Sequence, residues 1–507
     1  MTDIAVGARA TRREWIGLAV IALPCALYAM DLTVLNLAVP QLSADLKPTA
    51  GQLLWIVDIY GFMVAGWLIT MGTLGDRIGR RRLLLIGAVA FGVASVLAAF
   101  APSAELLIVA RALLGVAGAT LAPSTLSLIR NMFPDDRQRT VAIGIWIASF
   151  SAGGAIGPLI GGALLEYFWW GSVFLVAVPV MALLLVLGPF LLPEYRAPDA
   201  GRLDIPSAVL SLASVLSAIY GVKRMAEFGL DATAAAAMVG GAAIGWAFVR
   251  RQRHLDDPLI DMRLFRSPGF SAALAVNSIA FFAMFGIFLY FAQYLQLVLG
   301  MGPLEAGIWT APSGVAFVLG STIAPMLAHR FQPVHVTAGG LVAVAAGFAV
   351  MAQVGGPNSL ALLVGGMVVV AIGMTPVVAL ATDLIVASAP PERAGAASAI
   401  SETSIEFHGA LGIAVLGSIL TAIYRTALEP ALPVAMSAAQ VEEARSTLSG
   451  AIGVAADLAP SMGSALAEAA RDAYAGAFVT IAALCGLIAL AAAALSVLLR
   501  DRSGART

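Results

Sequence analysis

The sequence predicts an all-α integral membrane protein of fourteen transmembrane helices with both termini cytoplasmic. Three observations carry that reading. Of 507 residues, 60% are hydrophobic and only 12% charged, with mean hydropathy +0.92, more apolar surface than a soluble core of this length hides, so the bilayer must act as solvent. Apolar windows long enough for a helix to cross about 30 Å of hydrocarbon recur at 15–40, 52–74, 83–101, 104–127, 140–164, 171–192, 204–223, 232–249, 270–297, 303–328, 336–354, 358–387, 397–424 and 474–498. With these windows, 22 of the 29 Lys and Arg fall on one side. Clustered basic residues stay cytoplasmic, so the bias sets the orientation, and an odd count of spans would scramble it. Lys47, Lys223, Arg224, Arg425, Arg445 and Arg471 then lie outside, and Arg111 within a span.

Arg9, Arg12 and Arg13 precede the first window, which is long and has no clear small-residue cleavage site. It reads as a retained first span rather than a signal peptide. The two cysteines, Cys25 and Cys485, lie inside apolar windows and are expected as small packing residues. No disulfide or metal framework is available, and a net charge of −1 gives no sign of a nucleic-acid partner. The basic residues are almost all Arg, which hints at a GC-rich bacterial genome.

Between spans two and three runs Gly72 to Arg82, GTLGDRIGRRR, read as a short hairpin loop whose glycines allow a tight turn. Asp76 is placed to pair with the arginines (Arg77, Arg80, Arg81, Arg82) or to sit near a helix N-terminus. Gly72, Leu74, Gly75, Asp76, Arg77, Gly79, Arg80 and Arg81 match G-x-L-a-D-r-x-G-r-k, and on this string the chain resembles the major facilitator superfamily. That resemblance implies two six-helix halves around a midplane cavity, hence a 6+2+6 order: 1–200 as the first half, 201–255 as two inserted helices, and 256–507 as the second half. It also implies that Gly72, Asp76, Arg77 and Arg80 form a cytoplasmic conformational latch. Leu327 to Phe331, after span ten, occupies the corresponding place in the second half without the Asp, which decay of a duplication or coincidence explains equally. The long segment Thr426 to Asp472 is expected as a surface cover, with short helices at Val441 to Leu448 and Met462 to Ala473.

Ionisable residues inside a bilayer are costly and mark function by default. Asp31 lies past the middle of span one and Arg111 in span four at similar depth. The arginine would hold the carboxylate ionised, and protonation would release the arginine, which makes the pair a candidate proton switch. A static pair that fixes helix packing is the other reading. Asp58, near the outer end of span two, is a solvated interfacial acid or a buried one, with Trp55 and Tyr60 beside it in sequence. Glu402 and Glu406 in span thirteen share a helix face. Two close carboxylates in an apolar wall cannot both be ionised cheaply, so a proton and a cation would compete there, unless one glutamate is packed neutral and only the other is exposed. His408 reads as a hydrogen-bonded packing residue, and Asp383 as interfacial.

Four further strings narrow the resemblance. MDLTVLNLAVP (Met30 to Pro40) is similar to the span-one signature of fourteen-span drug:proton antiporters. Arg111, Gly115 and Gly118 fit the span-four pattern RxxxGxxG, whose arginine is associated with proton transfer. Gly153, Gly157, Pro158, Gly161 and Gly162 match gxxxGPxxGG, the antiporter motif of span five, and their physical content is close helix approach with a kink. LWIVDIY (Leu54 to Tyr60) resembles the antiporters that export quaternary ammonium compounds, biguanides and intercalating dyes. By that resemblance Asp58 recognises a cation, with Trp55 and Tyr60 offering cation–π faces. The staphylococcal member has an extra acid in span ten where Ser313 to Gly320 here is apolar apart from Ser313, and has Asp where this chain has Glu406.

The expected function is therefore export of lipophilic cations in exchange for protons by a bacterial inner-membrane monomer, driven by the proton-motive force without cofactor or metal. Lipophilic cations, protons and membrane lipids are the expected partners. Export of a native metabolite or lipid is the second transporter reading. An enzyme or receptor is disfavoured: the four histidines (His254, His329, His335, His408) are scattered, and no GxxxxGK[ST] loop is present.

Overall fold

The structure is a computed structural model that describes residues 9–196, 203–255, 258–355, 359–388 and 394–504. The described chain is almost entirely helical. Its first part comprises α1 (Arg12–Leu46), α2 (Ala50–Ile78), α3 (Arg80–Ala99), α4 (Ala104–Gly118), α5 (Leu121–Met132), α6 (Asp136–Tyr167), α7 (Ser172–Leu175) and α8 (Ala177–Leu191). Helices α9 (Ile205–Phe228) and α10 (Ala232–Gln252) follow. The rest is α11 (Pro268–Gln293), α12 (Pro303–Arg330), α13 (Pro333–Met351), α14 (Ser359–Ala387), α15 (Ala394–Leu428), α16 (Ala438–Ser446), α17 (Leu448–Asp457) and α18 (Pro460–Gly504).

Among the described residues thirteen helices are long and apolar enough to cross a membrane, α4 and α5 together forming one of them. The tenth expected span falls on α12, where the side chains of 322–329 lie outside the described residues. Helices α1, α2, α6, α15 and α18 overrun their apolar windows at both ends, and polar residues cap several of the helix starts. Thr11 with Glu14 and Thr49 with Gln52 form capping boxes at α1 and α2, and Ser103, Asp135, Asp204 and Asp231 cap α4, α6, α9 and α10.

Three expectations are corrected. Gly72 to Ile78 is not loop but the last two turns of α2; the turn is Gly79 alone, at φ 113°, a conformation only glycine adopts cheaply. Backbone helix likewise continues to Arg330, where a loop from Leu327 was expected. In the outer segment, Met462 to Ala473 is not a separate helix but the start of α18, and Leu448–Asp457 forms a helix of its own. The apolar run of Leu448–Asp457 packs against α16 and α18.

Three polar contacts between the earlier and the later helices lie at the end opposite the arginine-rich turn. Gln296 Nε2 donates to Leu37 O at 3.0 Å, Ser449 Oγ to Pro40 O at 3.1 Å, and Lys47 pairs with Glu443 at 3.0 Å. The segment after α15 thus bridges the halves at the end opposite the arginine-rich turn. Helix α6 lies between α1 and α12: at Gly153, Gly157 and Gly161 an added Cβ would stand 2.0 Å from Ala26 O, 2.4 Å from Thr33 Oγ1 and 2.8 Å from Val34 Cγ1. Gly162 abuts the Pro303 carbonyl of α12, and the Pro158 carbonyl abuts Gly307. The glycines therefore seat one helix against both halves. Helix α9 packs where α2 meets α15, away from α6, its Ile219 clustering with Phe62 of α2 and with Ala410 and Ala414 of α15.

Candidate functional site

Arg111 is fully buried, and α4 delivers it to three partners. Its Nη1 lies 2.5 Å from Asp31 Oδ2, its Nε donates to Ile56 O at 3.1 Å, and its guanidinium stands 4.7 Å from the Tyr60 ring centroid. Gly115, one turn on, lets α4 approach the Tyr60 backbone. The structure thus brings together the two residues expected at similar depth. A planar fork suits this place, since it serves a carboxylate and a carbonyl at once.

Asp58 is buried, which excludes the solvated interfacial reading, but its surroundings differ from the expectation. Lys223 Nζ lies 2.7 and 2.9 Å from its two carboxylate oxygens and 3.6 Å from the Trp55 ring centroid. Lys223, expected outside the membrane, is 3% exposed. The apolar window ends at the first charged residue, whereas α9 runs five residues further and turns the ammonium inward. Trp55 and Tyr60 do not flank an open cation site: Trp55 faces Lys223 and Tyr60 faces Arg111. Both aromatic faces hold cations of the chain itself.

The span-thirteen glutamates have separate surroundings. Glu406 accepts a 2.6 Å hydrogen bond from the Tyr28 hydroxyl of α1, while Glu402, one turn nearer the arginine-rich end, is exposed. Tyr28 was not singled out from sequence; a tyrosine in an apolar helix carries no pattern that marks it. Its ring is 6.0 Å from that of Tyr60, so Asp31, Arg111, Tyr60, Tyr28 and Glu406 form a continuous series across the halves. His408 behaves as expected, with Nδ1 2.8 Å from Ser404 O.

Two cavities meet here. A small one, about 30 Å³, is lined by Asp58, Arg111 and Glu406 and by Gly61 and Ala410. A larger one, about 270 Å³, lies between α1, α6, α11, α12 and α14, with Phe150, Phe281, Met284, Phe288 and Phe317 on its walls and Ser313 among its few polar residues. Leu32 and Phe285 line both. The arrangement offers an apolar, aromatic cleft next to a compartment holding three ionisable groups.

At the arginine-rich turn, Arg80 Nη2 and Nε lie 2.6 and 2.9 Å from Asp76 Oδ1, and Arg80 Nη1 reaches Pro123 O of α5 at 3.3 Å. Arg81 donates to the Pro189 and Leu192 carbonyls, and its backbone N–H to Glu194. Gly75 leaves room for the Arg80 side chain, Gly72 passes near Pro123, and Arg77 is exposed. The turn therefore ties four helices of the first half together. Cys25 and Cys485 are buried free thiols, and among the described residues no group of three or more His, Cys, Asp or Glu is arranged to hold a metal.

Known proteins match this architecture. The family described as the Major Facilitator Superfamily matches residues 21–413. The multidrug efflux pump LfrA of Mycolicibacterium smegmatis is 45% identical over 486 residues, covering 96% of each chain. The methyl viologen resistance protein SmvA of Salmonella typhimurium is 37% identical over 467 residues, 91% of this chain and 93% of that one. Among solved structures, a bacterial homolog of the human lysosomal transporter Spinster, inward-facing and unoccupied, superposes with a TM-score of 0.67 at 18% identity, covering 97% of this chain and 99% of that one; at that identity it speaks for the fold. With the helical architecture and the span-one, -two, -four and -five motifs all in place, the chain belongs to the Major Facilitator Superfamily, among its multidrug efflux pumps.

Proposed function

We propose that this multi-pass membrane transporter exports lipophilic cations in exchange for protons across the bacterial inner membrane. The observation that carries the proposal is the junction of the two cavities: an aromatic cleft of about 270 Å³ adjoins a compartment with Asp58, Glu406 and Arg111. A lipophilic cation needs apolar walls for its body and a carboxylate for its charge. A proton needs a group whose protonation releases a partner, and the part-buried Asp31 paired with the buried Arg111 is placed for that. Uptake would begin from the arginine-rich side, where Glu402 is exposed while the opposite end is tied shut through Leu37, Pro40 and Lys47. Rocking of the halves on the glycine face of α6 would then expose the site to the other side. A relative named for methyl viologen resistance supports cationic cargo.

Accumulation of ethidium in a pump-deficient bacterium tests this. Expression of the chain should lower accumulation of unmodified dye, and an uncoupler should restore it. Unchanged accumulation with folded protein in the membrane would move the native-metabolite exporter to first place, and a chemically altered dye would point to an enzyme.

A further inference from the structure

The Asp58 carboxylate is already occupied, and by a residue of the inserted helix pair. Lys223 places its ammonium 2.7 Å from one Asp58 oxygen and against the face of Trp55, the same two elements, carboxylate and aromatic face, that a quaternary ammonium cargo requires. We propose that Lys223 is a tethered cation that holds the recognition site in the absence of cargo and is displaced when cargo binds. This rests on the cationic-cargo reading above and adds to it the inserted helices' role.

The geometry makes displacement necessary. The small cavity touches Asp58 but is not lined by Lys223, so cargo approaches the carboxylate from the side away from α9. One carboxylate neutralises one charge, so a cargo cation that seats on Asp58 itself must take the place of Lys223, whereas Glu406, the other acid lining the small cavity, carries no such tether. Lys223 must then withdraw or give up its proton. A place for withdrawal exists: Glu227 is four residues on, hence on the same helix face, and its Oε2 lies beside Gly51 at the start of α2. Because α9 packs on α2 of one half and α15 of the other, release of Lys223 also loosens a contact at the seam along which the halves move. The tether subtracts from cargo affinity, and its loss converts a site that must be vacated into one that is simply open.

Binding of radiolabelled tetraphenylphosphonium to the purified full-length chain in nanodiscs tests the proposal. Lys223→Gln should tighten Kd about tenfold, the equivalent of one competing contact, whereas Lys223→Arg should stay near wild type. The gain should vanish when Asp58→Asn is added, the double variant binding no tighter than Asp58→Asn alone. Wild-type binding with an unchanged or weaker Kd in monodisperse Lys223→Gln would overturn the tether and leave the function standing. Absence of binding by the folded wild type would overturn both. If Lys223→Gln does not fold, the second readout is acetylation of Lys223 in Lys47→Arg protein, where it is the sole lysine left. Labelling should rise with added tetraphenylphosphonium, and flat labelling would mark a static ion pair.

Discussion

The Tyr28 hydroxyl donates to Glu406 Oε1 at 2.6 Å, joining α1 to α15 at an acid that lines the small cavity. Hydrogen bonds to a charged group are worth about 1.5–3 kcal/mol, so Tyr28→Phe removes a contact of consequence without changing the ring. The variant should fold normally, keep the ring packing on Phe150, and raise the apparent KM for a cationic dye roughly tenfold. Initial rates of ethidium efflux against concentration measure this. An unchanged KM would show that Glu406 meets the cargo without help from α1.

Arg111 serves Asp31, the Ile56 carbonyl and the Tyr60 ring together. Arg111→Ala leaves Asp31 without its partner, and breaking a buried pair costs about 3–5 kcal/mol. Thermal unfolding in detergent should show a clearly lower Tm. Arg111→Lys keeps the charge but lacks the fork, so it should recover most of the stability and only a small part of the transport.

Adjacent glycines of α6 should give opposite outcomes. A Cβ at Gly153 would lie 2.0 Å from Ala26 O, whereas one at Gly154 meets nothing within 4 Å. Gly153→Ala must push α1 and α6 apart and should abolish dye efflux, and Gly154→Ala should leave it within about twofold. Equal loss in both would mean that helix approach is not what this motif provides.

The Gly79 turn allows a similar test at the other end of the first half. With φ at 113°, any side chain there is strained, and an added Cβ would also stand 2.4 Å from Glu194 Oε1. Strain of this kind costs about 1–3 kcal/mol. Gly79→Ala should lower Tm and reduce transport, and adding Glu194→Ala should relieve the steric part alone.

Sequence reading reached some of this site and not the rest, for identifiable reasons. Asp31 and Arg111 were legible because each is a rare charge inside a long apolar run, and their depths follow from counting along two helices. Glu402 and Glu406 were legible as a shared face through their spacing, but their different surroundings depend on Tyr28, which sits in a helix uniformly apolar around it. Lys223 was misread because a hydropathy window stops at a charge, while the helix does not. Asp58 was recognised as important, and only the packing of α9 against α2 reveals what it holds. The turn at Gly79 was blurred for a related reason: several glycines in GTLGDRIGRRR can break a helix, and only the one that must reverse the chain does so.

The most direct test of proton-coupled export is substrate-evoked proton movement in energised everted membrane vesicles, read by dequenching of a pH probe. Adding a monovalent and then a divalent quaternary ammonium compound should release protons from wild-type vesicles, and Asp31→Asn should abolish the release while the protein remains folded. Proton release that persists undiminished in Asp31→Asn would contradict the coupling assigned to the Asp31–Arg111 pair, and absence of release from wild type with both compounds would contradict cation–proton exchange itself.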